Sequence, residues 1–235
     1  MTSECNPETG ACELPQFEKR PVQNAASDQV LVSYVGDPMC SWCWGMSPVI
    51  EALAAHCAAQ GIGFRIVMGG LRAGGGDPWN AAFRDFLRRE WTHIAKQTGQ
   101  PFGFHLLERS AFNYDTEPAC RAVVAARGLN SRQSALRFFA EVQRKFYVEG
   151  EDPKETVFYR DICRTLGIDF AAFEAAFLSP AAIAAVHGDF ALTRQLGVTG
   201  FPSVVMQSGT TLKKLSVGYA PFETLADRLS KGISN

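Results

Sequence analysis

Apolar and polar residues alternate in blocks that divide the chain into a short β-rich start, a long helical middle and a short β-rich end. The run Val30-Leu31-Val32-Ser33-Tyr34-Val35 predicts a strand near residues 30–36. Gly36-Asp37-Pro38-Met39 separates it from a helical pattern that includes Val49-Ile50-Glu51-Ala52-Leu53-Ala54-Ala55. Pro48 inside that helix lacks the N–H that would reach the Trp44 carbonyl, so a kink is expected there. Phe64-Arg65-Ile66-Val67-Met68 predicts a second strand, which ends in a loop dense in glycine: Gly69, Gly70, Gly74, Gly75 and Gly76. This loop matches neither a phosphate-cradling nor a dinucleotide-binding pattern and is read as a flexible exit from the sheet.

From Pro78 to about Leu196 the spacing of apolar residues is almost entirely helical. It predicts segments from Trp79 to Thr98, Glu117 to Arg127, Ser134 to Tyr147, Lys154 to Leu166, Phe170 to Leu178 and Pro180 to Leu196. Strand character returns at Ser203-Val204-Val205-Met206 and at Leu212 to Val217, joined by the polar turn Gln207-Ser208-Gly209. A last helix covers Pro221 to Leu229. The pattern describes an α/β protein whose small sheet is interrupted by a large helical insertion.

With 235 residues, 46% of them hydrophobic, the chain can build a sizeable core as one domain with an insertion. A net charge of −1 without a basic patch gives no basis for nucleic-acid or anionic-membrane binding, and the apolar stretches are too short to span a bilayer. The N-terminus shows no basic segment followed by an apolar one, so a signal peptide is not expected and the cytoplasm is the expected location. Seven cysteines cannot all pair internally, and in the cytoplasm a close pair points to catalysis or redox sensing before a structural staple.

That close pair is Cys40-Ser41-Trp42-Cys43, at the junction of the first strand and its helix. Disulfide exchange proceeds by thiolate attack, and a helix N-terminus offers unpaired N–H groups and the positive end of the macrodipole, both of which favour the anion. The spacing makes Cys40 the exposed nucleophile at the cap and Cys43 the resolving thiol one turn inside. A structural zinc site would need two further ligands; the histidines His56, His93, His105 and His187 are scattered, which leaves only the widely spaced Cys5 and Cys12. A second anchor is Gly197-Val198-Thr199-Gly200-Phe201-Pro202-Ser203-Val204, where a proline stands directly before a central strand. Either a cis Phe201–Pro202 bond or a trans proline in a loop would account for it.

Asp37-Pro38-Met39-Cys40-Ser41-Trp42-Cys43-Trp44-Gly45 and Gly197-Val198-Thr199-Gly200-Phe201-Pro202 together resemble the thioredoxin superfamily in its DsbA-like branch, and within it the cytoplasmic, FrnE-like subset. Thr116-Glu117-Pro118-Ala119-Cys120-Arg121-Ala122 and Phe146-Tyr147-Val148-Glu149-Gly150 resemble landmarks of that branch's insertion. The resemblance covers residue 28 to the end. It implies a thioredoxin-like domain from residues 28–76 and 197–235, a helical insertion over 77–196, and a tail over 1–27 that carries Cys5 and Cys12. It also implies a cis Phe201–Pro202 bond. The implied activity is that of a thiol–disulfide oxidoreductase or isomerase acting on protein or peptide thiols and disulfides. In it Cys40 attacks and Cys43 resolves, while Ser41, Trp42, Phe201 and Pro202 line the substrate groove. No metal or organic cofactor is implied; glutathione or a thioredoxin-type reductant would reset the pair. Strongly oxidising members carry a histidine between their cysteines where this chain has Ser41-Trp42, so a more reducing potential is expected. Two alternatives remain: a glutathione-dependent small-molecule isomerase or transferase, of the hydroxychromene-carboxylate isomerase or kappa-class type, and a redox- or zinc-responsive binding protein. Oligomeric state is left open.

The other cysteines divide by context. Cys5 and Cys12 flank the turn-forming Asn6-Pro7-Glu8-Thr9-Gly10 and are either an accessory redox pair or idle thiols on a frayed terminus. Cys57, Cys120 and Cys163 sit among apolar neighbours at helical spacing and read as small core residues. Trp44 reads as core and Trp42 as exposed beside Cys40, with Trp79 a third aromatic of the cluster. Asp37 is open to a proton-transfer role or a turn-forming one.

Overall fold

A computed structural model describes residues 5–6, 8–13, 30–129 and 132–233. Residues 14–27 of the N-terminal tail lie outside that set, and with them most of the tail that the sequence set apart. Cys5–Asn6 (β1) and Ala11–Glu13 (β2) form an antiparallel hairpin with Cys5 opposite Cys12 and Asn6 opposite Ala11. The Asn6 side chain closes its turn by accepting from the N–H groups of Glu8 and Thr9 at 2.9 and 3.2 Å, as asparagine does in turns.

Leu31–Gly36 (β3) leads into the long helix Ser41–Ala59 (α1), and Gly63–Met68 (β4) returns parallel to β3. The middle of the chain is helical: Ala81–Thr98 (α2), Glu117–Leu129 (α3), Arg132–Arg144 (α4), Arg160–Leu166 (α5), Phe170–Phe177 (α6) and Pro180–Gln195 (α7). The short strand Gly200–Phe201 (β5), the hairpin Ser203–Ser208 (β6) and Thr211–Val217 (β7), and the helix Phe222–Ile233 (α8) complete it. The main sheet runs β4-β3-β6-β7, with β6 antiparallel to both β3 and β7. A β-α-β unit followed by a β-β-α unit in this order is a thioredoxin-like frame, and its central strand β3 is buried along residues 32–36, which is why its sequence is a continuous apolar run. Leu225 and Leu229, one turn apart on α8, are fully buried, each contributing roughly 1.5–3 kcal/mol of apolar burial.

β4 is an edge strand, and an uncovered edge would expose backbone groups to strand addition. Helices of the insertion close it. Arg127 on α3 donates to the Ile66 carbonyl at 3.0 Å, Asp189 on α7 accepts from the Met68 N–H at 2.9 Å, and the Thr193 hydroxyl donates to the Met68 carbonyl at 2.9 Å. Arg127 and Asp189 also bind each other through two hydrogen bonds of 2.9 Å. The insertion is therefore locked to the sheet beside the strand end from which the glycine loop departs.

Several boundaries differ from those read in the sequence. Helix α2 starts at Ala81, after Trp79, because the Asn80 side chain caps it by accepting from the Phe83 N–H at 2.9 Å. The helix predicted up to Tyr147 ends as α4 at Arg144 and continues as a wide π-type turn over Lys145–Glu149, stopped by Gly150 at φ 72°. The predicted Lys154–Leu166 helix opens with a tight 3₁₀ turn over Thr156–Tyr159 before α5 begins. The glycine loop is no loose exit: the N–H groups of Leu71, Arg72, Gly74 and Gly76 donate to the side chains of Asp37, Thr116, Asp115 and Asn113. Among the described residues no single helix is long and apolar enough to cross a membrane.

Candidate active site

Cys40 is the N-cap of α1, with extended backbone angles (φ −91°, ψ 118°). Its N–H donates to the Asp37 carbonyl at 3.0 Å, and its own carbonyl accepts from the Trp44 N–H at 3.1 Å, which closes the first helical turn. The thiol therefore stands where the helix presents its unsatisfied N–H groups. Cys43 lies within that first turn and is fully buried. Burial, followed by the hydrogen bond with and the charge of Cys40, holds the Cys43 thiol well above its ordinary value. Cys43 is thus kept protonated at neutral pH until its neighbour reacts.

Across from the cap, the Phe201–Pro202 peptide is cis. The Cys40 thiol points to the Phe201 carbonyl at 4.0 Å. The Phe201 ring packs on Gly69, where a side-chain carbon would fall 2.2 Å from the ring. Glycine at 69 is thus required by the ring that fixes the Phe201 backbone. The Ser203 hydroxyl holds the Gly200 carbonyl at 2.7 Å, and the Gly218 N–H holds the Pro202 carbonyl at 2.7 Å. Cys40, Cys43, Phe201 and Pro202 are brought together, with Ser41 and Trp42 on the same helical turn.

Two expectations are corrected. Cys40 and Trp42, read from sequence as exposed, are both fully buried. The N-terminal hairpin packs against Trp42. Gly10 packs so closely that a side-chain carbon there would lie 3.1 Å from the Trp42 ring, which also meets Tyr219 (centroids 6.2 Å) and His93 (5.8 Å). Trp44 is buried, as read; its indole N–H donates to the Pro101 carbonyl at 2.9 Å and its ring stacks on Tyr147 at 6.4 Å.

Asp37 is fully buried three residues before Cys40. One carboxylate oxygen accepts from the Met39 N–H at 2.8 Å, the turn-forming role; the other accepts from the Leu71 N–H at 2.7 Å and from the Cys120 thiol at 3.4 Å. Burial raises the carboxyl above its ordinary value, while hydrogen bonds with Thr116, Met39, Leu71 and Cys120 pull it back. Cys120, read as a core filler, is therefore a partner of the loop that carries Cys40. Tyr114 supports the same loop by donating to the Met39 carbonyl at 2.8 Å. Thr116 and Cys120 fall in a segment the sequence marks as a landmark of the insertion; nothing in the sequence singles out Tyr114.

Gln100 was also missed. Pro48 cannot donate to the Trp44 carbonyl, and the Gln100 side chain does so instead at 3.0 Å, so α1 runs through Pro48 without leaving that acceptor unmade. Cys57 and Cys163 are buried, and desolvation pushes both to about 11. Cys5 and Cys12 stand opposite each other in the hairpin. Among the described residues no three His, Cys, Asp or Glu side chains converge as metal ligands.

Comparison with known proteins gives a consistent picture. The sequence profile of the DSBA-like thioredoxin domain matches residues 31–230. A provisionally assigned protein disulfide isomerase from Nitrosomonas europaea superposes with a TM-score of 0.80 at 34% identity, over 88% of this chain and 98% of that one. DsbM from Pseudomonas aeruginosa, a cytosolic disulfide reductase, superposes with a TM-score of 0.68 at 30% identity, over 87% of this chain and 100% of that one, and has also been solved with GSH. Among curated proteins, the ClpXP adapter protein SpxH of Shouchella clausii is 23% identical over 209 residues; the match takes in 87% of this chain but only 66% of that protein's length.

Proposed function

Because the chain belongs to the DSBA-like thioredoxin domain family of thiol–disulfide oxidoreductases, we propose that it exchanges disulfides in protein or peptide substrates through Cys40 and Cys43. The observation that carries this reading is the placement of Cys40 at the cap of α1, 4.0 Å from the Phe201 carbonyl, with Cys43 buried within the same turn.

The Cys40 thiolate attacks a substrate sulfur; the substrate disulfide breaks and its other sulfur leaves and takes a proton. Cys43, kept as a thiol by burial until then, gives up its proton and attacks the Cys40 sulfur, which releases the reduced substrate and leaves a Cys40–Cys43 disulfide. An extended substrate segment takes the place of β2 along Gly200–Phe201, beside Pro202, which has no N–H to obstruct the incoming sulfur. Ser41 and Trp42 place no charge between the two sulfurs, which favours a reducing couple over a strong oxidant. Two molecules of glutathione return the pair to the dithiol and become oxidised glutathione. The reducing direction and the cytoplasmic location are supported by the likeness to DsbM, a cytosolic disulfide reductase. The sequence of steps is sulfur chemistry throughout and uses no metal or organic cofactor.

Turnover of insulin disulfides with glutathione as the electron source tests this. The native chain accelerates the reaction, and Cys40→Ser returns it to the uncatalysed rate. Equal rates for the two chains, or consumption of glutathione only with a small electrophile, would reject the proposal.

A further inference from the structure

The N-terminal hairpin has no part in the steps above, yet it lies along the edge on which they take place. β2 pairs antiparallel with β5, Cys12 opposite Phe201 and Glu13 opposite Gly200. The fit is built from both sides. Gly10 (φ 63°) and Gly218 (φ 89°) both adopt angles that favour glycine. A side-chain carbon at Gly218 would come within 2.1 Å of the Thr9 carbonyl oxygen, and one at Gly10 within 2.9 Å of Tyr219. The Tyr219 N–H donates to the Gly10 carbonyl at 3.2 Å, next to the Gly218 N–H that holds Pro202.

The register of this small sheet places Cys5, Cys12 and Phe201 in one row, and the Phe201 carbonyl is the group the Cys40 thiol meets. Opposed residues in an antiparallel pair have Cα atoms about 4.5–5.5 Å apart, within the roughly 4.4–6.8 Å that a disulfide spans. Positions 5 and 12 are therefore placed for a hairpin disulfide, and position 12, the nearer in the row, for exchange with Cys40.

Resting on the thiol–disulfide reading, we propose that the hairpin is an internal substrate strand whose Cys5–Cys12 pair exchanges a disulfide with Cys40–Cys43. The Cys40 thiolate attacks the Cys12 sulfur; the Cys5–Cys12 bond breaks and Cys5 leaves as a thiolate that takes a proton. Cys43 then attacks Cys40, and Cys12 leaves in the same way. Two electrons pass from the central pair to the hairpin pair, and glutathione restores the central dithiol. The reverse sequence stores a disulfide in the hairpin. While docked, the hairpin also denies the β5 edge to an external strand.

The full-length chain carrying Cys43→Ala, with Cys43→Ser as a second form should the first fail to fold, is equilibrated in a glutathione redox series, acid-quenched, alkylated and mapped by non-reducing peptide mass spectrometry. A monomeric Cys12–Cys40 cross-link is expected, in at least tenfold excess over Cys5–Cys40. It should persist against ~1 mM glutathione, because tethering beside the site gives an effective concentration of at least that order. Only glutathione adducts on Cys40, or equal linkage to Cys5 and Cys12, would overturn the inference. The native chain in the same series separates this from the parent reading: a Cys40–Cys43 disulfide there, with no Cys12–Cys40 link in the variant, rejects the internal substrate alone.

Discussion

The Cys120 thiol donates to the Asp37 carboxylate at 3.4 Å across 83 positions of sequence, joining α3 of the insertion to the loop that carries Cys40. Burial and the charge of Asp37 push the Cys120 thiol well up, so it remains a donor at neutral pH. Its hydrogen bond in turn lowers the Asp37 carboxyl against the effect of burial. Cys120→Ala should cost about 1–3 kcal/mol at a pH above the raised Asp37 value, where the ionised carboxylate loses a donor, and less at a pH below it, where the carboxyl is protonated. Urea midpoints at the two pH values check this; an equal cost at both would show that the thiol only fills space.

Asp37 itself should leave a mark on the pH dependence of stability. Its folded value is raised, so the folded protein holds this proton more tightly than the unfolded chain. The resulting stabilisation is fully present below the unfolded carboxylate value and is lost as pH rises through the folded one. Native protein should therefore lose stability relative to Asp37→Asn between pH 4 and pH 7. Parallel urea-midpoint curves for the two chains would contradict the assignment.

Gln100 and Pro48 should be coupled. Gln100→Ala leaves the Trp44 carbonyl without its donor and should cost about 1 kcal/mol. In a Pro48→Ala background the helix supplies its own N–H, so the cost should fall to about half or less. A double-mutant cycle measures the difference; the same cost in both backgrounds would remove Gln100 from this role.

The sheet edge gives a larger effect. Asp189→Ala strands Arg127 and the Met68 N–H together. The Arg127 side chain is 28% exposed, so the loss should lie at or below the lower end of the range for buried pairs, on the order of 2–3 kcal/mol. Hydrogen exchange at β4 should rise with it. A change below about 0.5 kcal/mol would mean that the insertion does not close this edge.

Much of this architecture is legible in the sequence because its signals are local. The strand before Cys40, the strand at 63–68, the helix started at the cysteine pair and the proline before Ser203 each follow from neighbouring residues. The bonds Cys120–Asp37, Gln100–Trp44 and Tyr114–Met39 join residues 83, 56 and 75 positions apart, and no local pattern carries them. The cover over Trp42 escaped the sequence for another reason. The strands of the covering hairpin are two and three residues long, too short to show a period, and they are defined by what they pair with.

The reduction potential of the Cys40–Cys43 couple tests the central claim most directly, by equilibration with glutathione and mass-spectrometric readout of that pair. The account predicts a reducing value, roughly −230 to −270 mV. A value near −120 mV would make the protein an oxidant and contradict the proposed direction. Failure of the pair to form a disulfide at any glutathione ratio would contradict the redox role itself.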